Sequence, residues 1–163
     1  MTDADQSSFS RRTEAVRAAL VAAGHPDTVR VVPGGAATAA EAAAALGCEV
    51  GAIANSLIFL ADGAPLLVLS SGRHRVDTAG LAERLGHCRI SRATPDDVVA
   101  ATGQVIGGVS PVGHPSALRT VIDESLRDYP DLYAAAGTHD TLFRTDFDAL
   151  VALTGAAIVR TSA

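Results

Sequence analysis

The alternation of apolar and polar positions sets the first divisions of the chain. Val16, Ala19, Leu20 and Ala23 recur at i, i+3, i+4 and i+7, one stripe of an α-helix, and Gly24 with Pro26 ends it. Residues 28–32, TVRVV, are rich in β-branched side chains and predict a strand. A second helix is expected from Thr38 to Gly47, because the Thr38 hydroxyl can cap its first turn while Glu41 reaches back. Its surface is mostly alanine, which permits close packing. Residues 55–60 and 66–71 are apolar runs of strand length, and the Asp62-Gly63 pair between them is a strong hairpin signal.

Downstream, short helices and short strands interleave. Asp77 can cap a helix running to Leu85 with Gly86 behind it, and residues 88–91 predict a brief strand. Thr94-Pro95 opens another helix, with proline at the first helical position where a missing N–H is tolerated, and Gly103 closes it. Strands are expected at 117–123, 133–136 and 141–144, the last two paired across GTHD. Asp146 or Thr145 caps a helix to Leu153, Gly155 closes it, and 156–160 is a terminal strand. This irregular order with at least one hairpin predicts an α+β fold with a mixed sheet, not a repeated βαβ array.

The pattern breaks at residues 102–115, TGQVIGGVSPVGHP, which hold four glycines and two prolines. Such a segment is either a flexible surface connection or a backbone site whose N–H groups turn toward a ligand.

Composition narrows the chemistry. The 163 residues fit one domain, expected over 10–163 behind a polar, disordered tail at 1–9; 48% hydrophobic and 19% charged residues argue against extensive disorder. The formal charge of −5 confines any RNA contact to a local basic surface. All 13 basic residues are arginine, which removes Schiff-base chemistry, the P-loop ammonium and a lysine base together. Cys48 and Cys88 belong to no C-x-x-C and are expected to be buried and reduced. The acidic, polar start is unlike a signal peptide and no run approaches about 18 apolar residues, so a soluble, cytoplasmic protein without a membrane partner is expected.

GGVSPVG is a near miss to the G-x-S-x-G nucleophile elbow: the second glycine comes one place late, and Pro111 has no N–H where the elbow would supply an oxyanion donor. Ser110 is therefore read first as a hydroxyl tying down its own loop and second as a nucleophile. His25, His74, His87, His114 and His139 show no zinc spacing, and no metal or cofactor is expected.

Taken in order, IANSLIFL (53–60), LVLSSGRHRVD (67–77), TGQVIGGVSPVG (102–113), VIDESL (121–126), AAAGTHDTLF (134–143) and TGAAIV (154–159) resemble the YbaK/prolyl-tRNA synthetase-associated editing domains over roughly residues 38–160. The resemblance implies a mixed, largely antiparallel, partly barrel-like sheet with short helices around it. It also implies hydrolysis of wrongly charged aminoacyl-tRNA in trans, without a classical triad and without a cofactor. Backbone N–H groups of the glycine loop would orient the ester while water, or a group of the substrate, attacks. Preorganised donors of this kind are worth about 3 kcal/mol each.

By position in those motifs, Gly107, Gly108 and Asn55 are the implied catalytic positions, and Ser56, Phe59, Ser110, Gly113, His114, Gly137, Thr138, His139 and Asp140 the implied binding or loop-shaping ones. Arg73, Arg75 and Arg119 are candidates for tRNA phosphates, each with an ordinary solvated arginine as the alternative. The implied partners are the 3′-terminal aminoacyl-adenosine of tRNA and an aminoacyl-tRNA synthetase, with no DNA. Many family members carry lysine where this chain has Asn55, whose amide keeps a donor but no charge. The substrate implied is the ester of a small amino acid: alanine, serine, threonine or cysteine. A non-catalytic member that binds aminoacyl-tRNA or a synthetase, and a Ser110-dependent esterase, are the alternative readings.

Overall fold

A computed structural model describes residues 9–86 and 89–163. The tail expected at 1–9 lies outside these except for Phe9, as does Cys88 at the head of one expected strand. The described elements are α1 (Arg11–Ala22), β1 (Arg30–Val31), α2 (Ala39–Leu46), β2 (Ala54–Ala61), β3 (Ala64–Ser71), α3 (Thr78–Leu85), β4 (Ile90–Arg92), α4 (Pro95–Thr102), β5 (Arg119–Asp123), β6 (Leu132–Ala135), β7 (Thr141–Thr145), α5 (Phe147–Thr154) and β8 (Ala157–Val159). Two 3₁₀ turns that the pattern does not predict, Val50–Ala52 and Glu124–Asp128, precede β2 and β6.

The hairpin is built as its turn residues require. Asp62 and Gly63 both take positive φ, 49° and 89°, the two-residue connection whose twist suits antiparallel strands. It locks β2 to β3 in register from Ala61↔Ala64 to Ala54↔Ser71. The larger sheet runs β4-β2-β3-β5-β8, with β3–β5 and β5–β8 parallel, and the smaller is the antiparallel β1-β7-β6. The fold is thus α+β with mixed, largely antiparallel pairing. Its strands divide between two sheets that meet at one parallel bridge, Ile53↔Tyr133, and the barrel-like curve is not closed.

Alternation along β2 and β3 separates two layers of core. Ala54 and Ile58 join Leu67, Leu69 and Ile122 in the main cluster, whereas Phe59 packs with Leu66, Val68 and Val121 against Leu81 of α3. Each fully buried leucine or isoleucine contributes about 1.5–3 kcal/mol. A third cluster, Val32, Ala42, Ala43, Ile53 and Leu142, seats α2 on the smaller sheet through alanines, so that helix lies close.

Local signals hold with small shifts. Thr38 accepts from Glu41 N (3.1 Å), but the Glu41 carboxylate reaches one residue farther than a capping box, to Ala37 N at 2.9 Å. Asp77, Thr94 and Asp146 cap α3, α4 and α5 as their positions suggest. The strand expected at 28–32 contracts to Arg30–Val31 because Thr28 replaces the ladder with its hydroxyl, which donates to Arg144 O (2.7 Å) and accepts from Arg144 N (3.0 Å). Among the described residues, no helix is long and apolar enough to cross a membrane.

Candidate active site

One edge of β2 is fully paired with β3, but the other is paired only at its ends: β4 opposes Phe59–Ala61, and β6, although it packs beside β2, forms a bridge only at Ile53. In an antiparallel ladder closed by a two-residue turn, the turn-flanking pair Ala61↔Ala64 exchanges hydrogen bonds, so outward and inward residues alternate from there. Leu60, Ile58 and Ser56 therefore turn their N–H and C=O away from β3. Leu60 meets Ser91 on β4, while Ser56 opens onto the gap.

The segment between α4 and β5 bridges this gap, and buried side chains hold its shape. Gln104, 1% exposed, accepts from Ser110 N through Oε1 (2.8 Å) and donates through Nε2 to Val112 O (3.3 Å). Ser110 Oγ accepts from Val112 N (3.3 Å), and His114 Nε2 donates to Ser110 O at 2.7 Å, which fixes the imidazole proton on that nitrogen. Burial holds the His114 pKa below the ordinary value against the opposing effect of that bond. Gly113, at φ 86°, lies so close to α1 that a Cβ would meet Val16 at 3.1 Å, and a Cβ on Gly108 would fall 2.7–2.9 Å from the backbone of Thr138. The loop is thereby docked on α1 and on the β6–β7 turn. That turn is itself pressed on α1 at Gly137, whose Cβ would meet Arg12 backbone at 2.9 Å, and is tied internally by Thr138 Oγ1 to Asp140 Oδ1 (2.7 Å).

The two central glycines separate in role. Gly108 is buried, and its N–H donates to Val105 O (3.0 Å). Gly107 is exposed at φ 95°, lies over the gap, and its N–H has no partner among the described residues. Beneath it, the cleft has two lobes that share a wall of Ser56, Leu57, Ile106, Gly107 and Val109. The smaller, about 350 Å³, is walled by Ala36, Ala37, Ala39, Ala42, Ala54 and Ala135 with Asn55, and no ionisable side chain lines it. The larger, about 580 Å³, carries Phe59, His74, Arg75 and Arg92 and no carboxylate. On the shared wall, Ser56 Oγ is buried without a hydrogen-bond partner.

Of the residues singled out by sequence, the cleft gathers Gly107, Asn55, Ser56, Phe59 and Arg75. Ser110, Gly113 and His114 shape its loop from behind, and Ser110 is 0% exposed. Gly137, Thr138, His139 and Asp140 buttress the loop without lining either lobe, and the His139 ring packs on Gly35. Arg73 points elsewhere, to Asp128 (2.8 Å) and the Tyr129 hydroxyl (2.9 Å), and Arg119 borders a separate depression with Asp97 and Leu118. Sequence reasoning missed Gln104, His74 and Arg92. Gln104 was legible as the one amide side chain inside the loop, whereas His74 and Arg92 reach the cleft only through strand pairing.

An α+β domain with a glycine loop spanning an open sheet edge has close counterparts. A sequence model of the aminoacyl-tRNA editing domain matches residues 34–153, and the chain belongs to that family. A solved structure of a protein proposed as a trans-editing enzyme for prolyl tRNA synthetase superposes with TM-score 0.89 and 40% identity, covering 96% of this chain and 99% of that one. The proline–tRNA ligase of Nitratidesulfovibrio vulgaris strain Hildenborough is 33% identical over 110 residues, 68% of this chain and 19% of the ligase. The chain thus spans about a fifth of the curated ligases it matches. The uncharacterized protein YwhH of Bacillus subtilis is 28% identical over 106 residues, 64% of this chain and 67% of that protein.

Proposed function

We propose that the protein is an aminoacyl-tRNA deacylase that acts in trans on tRNA mischarged with a small, uncharged amino acid. The observation that carries this reading is the shared wall, to which Gly107, with its unpartnered N–H, and Ser56, with its buried, unpartnered hydroxyl, both contribute between a neutral lobe and a cationic one. The alanine-walled lobe suits the amino-acid side chain, with the Asn55 amide beside it, and the larger lobe suits the nucleotide end. A carbonyl at the wall would develop negative charge as water adds to its carbon, and a preorganised N–H there stabilises that charge. Collapse of the tetrahedral intermediate breaks the bond to the ribose oxygen, which leaves with the proton that water supplied. The products are a free amino acid and an uncharged tRNA. Ser110 does not fit a nucleophile, since its hydroxyl is buried behind the loop.

One observation favours a second reading, in which the protein binds aminoacyl-tRNA without cleaving it: the smaller lobe offers an amide, Asn55, and no ionisable group. Incubation with tRNAs charged with alanine, serine, threonine, cysteine and a bulky control separates the two. Accelerated loss of a small amino acid, and not of the bulky one, is expected. Binding with no acceleration on any ester would overturn the enzyme reading and leave the binder.

A further inference from the structure

The α-amino group of an aminoacyl ester is a cation, and neither lobe offers it a carboxylate: Arg75, Arg92 and His74 line the larger one and no ionisable side chain the smaller. The acceptors that remain are neutral. One of them lies on the shared wall itself. Ser56 stands opposite Leu69 at a non-hydrogen-bonded position of the β2–β3 ladder, so its N–H and C=O take no part in that ladder and face the other edge. Ala54 and Ile58 face the same way, but Ala54 lines only the smaller lobe and Ile58 only the larger, whereas Ser56 lines both.

The register of the sheet shows what this edge lacks. β4 runs antiparallel along it, with Phe59 opposite Arg92 and Leu60 opposite Ser91. Carried three residues beyond Phe59, the same register would set Pro95 opposite Ser56, but Thr94 caps α4 and Pro95 begins it, so the chain turns away. Proline could not serve there in any case, having no N–H to give to the Ser56 carbonyl. A residue at that place would exchange two bonds with Ser56, its N–H donating to the carbonyl and its C=O accepting from the N–H. Among the described residues no strand forms a bridge with Ser56 on this edge, and its Oγ is buried without a hydrogen-bond partner.

We infer that the aminoacyl group takes the place β4 leaves and docks as a strand of one residue: its α-ammonium donates to the Ser56 C=O and Oγ, and its ester carbonyl accepts from the Ser56 N–H. An aminoacyl group carries a donor and an acceptor on either side of its α-carbon, as a residue of a strand does. It therefore pairs as a peptide pairs when it extends a sheet, main-chain bonds giving affinity and a side-chain pocket giving selection. An ammonium has three hydrogens to place, and Ser56 supplies two acceptors for them. The Ser56 N–H joins that of Gly107 as a donor to the oxyanion. Two bonds to Ser56 and a side chain committed to the smaller lobe fix three substituents, so the mirror image cannot keep all three. This inference rests on the reading of the protein as a deacylase and adds to it a requirement for a free α-amino group and the L configuration.

Hydrolysis of L-alanyl-, D-alanyl- and L-lactyl-tRNA by the full chain is compared with the spontaneous rate of each ester; the lactyl ester keeps the shape and replaces the ammonium by a hydroxyl. The acceleration is expected to be about tenfold lower for the lactyl ester, the worth of a charge-assisted bond. For the D-alanyl ester it should be about a hundredfold lower, as for a misplaced reacting group. Ser56→Pro removes the N–H that faces the gap and no bond of the β2–β3 ladder, a position where an edge strand accepts proline. It should cost about a hundredfold, as loss of an oxyanion donor does. Ser56→Ala keeps the backbone pair and should cost about fivefold. Equal acceleration of the alanyl and lactyl esters, or of the two enantiomers, would overturn the docking whether or not Ser56→Pro folds. A loss in Ser56→Ala as deep as in a folded Ser56→Pro would overturn it too, in favour of the hydroxyl. Calorimetry with the stable amides 3′-(L-alanylamino)-3′-deoxyadenosine and 3′-(L-lactylamino)-3′-deoxyadenosine decides without hydrolysis. Binding of the alanyl amide about tenfold more tightly supports the docking even where no ester is cleaved and the deacylase reading fails; equal binding overturns it.

Discussion

The two lobes of the cleft share a strand, a loop and a wall, and differ in almost everything else. The smaller is built from alanines of α2 and the segment before it, with an amide and no charge; the larger is built from β4 and the segment before α3, with two arginines, a histidine and a ring. The pleat does not make this division, because Asn55 of the smaller lobe and Phe59 of the larger lie on the same side of β2, and Ser56 on the shared wall lies on the other. A single edge thus serves two chemistries because what differs is what packs beside it.

The change that should break both lobes together is Gly108→Ala. Its Cβ has no room against the Thr138 backbone, so the loop must lift and carry Gly107 with it. Stability should fall by about 1–3 kcal/mol, measured by chemical denaturation. Hydrolysis should fall about a hundredfold, as when an oxyanion donor is lost. Filling the smaller lobe should separate the two: Ala39→Leu is expected to lower kcat/KM about tenfold for threonyl esters, less for alanyl ones, and to leave AMP affinity unchanged. A parallel fall in AMP binding would show that the lobes are not independent.

The smallest effect concerns acid. In the unfolded chain His114 takes up its proton as pH falls through 6.5, whereas in the folded loop burial defers protonation to lower pH. The unfolded state binds more protons in that interval, so stability present above pH 6.5 is lost as pH drops toward the depressed folded value. Thermal melting between neutral and mildly acidic pH should therefore fall more steeply for the wild type than for His114→Gln. Equal slopes would remove His114 from the acid response of the loop.

What the sequence made legible is what short-range chemistry decides. Asp62-Gly63, the caps at Thr38, Asp77 and Asp146, and Pro95 at a helix start each act within four residues, and each stands where its pattern placed it. The parallel neighbours β3, β5 and β8 are joined through long crossovers, which no local pattern encodes. The same limit governed the site. Gly107 and Ser56 were named from the motifs, but Arg92 became a site residue only through its register with Phe59. Gly108 looked equivalent to Gly107 until its N–H was traced to Val105 O. Thr138, His139 and Asp140 carry chemistry-bearing side chains, yet close contacts at Gly108 and Gly35 give them the place of supports.

The unpaired stretch of β2 bears on a different hazard. An unpaired strand edge is a template for association with other chains, and proteins commonly blunt it with charge, proline or a covering element. Here the interval between the Ile53 bridge and the β4 pairing, residues 54–58, is five residues, as long as an ordinary strand, so the edge needs a cover. The segment between α4 and β5 that bridges the gap supplies it. The loop that forms the cleft thus also guards the edge against domain swapping and aggregation.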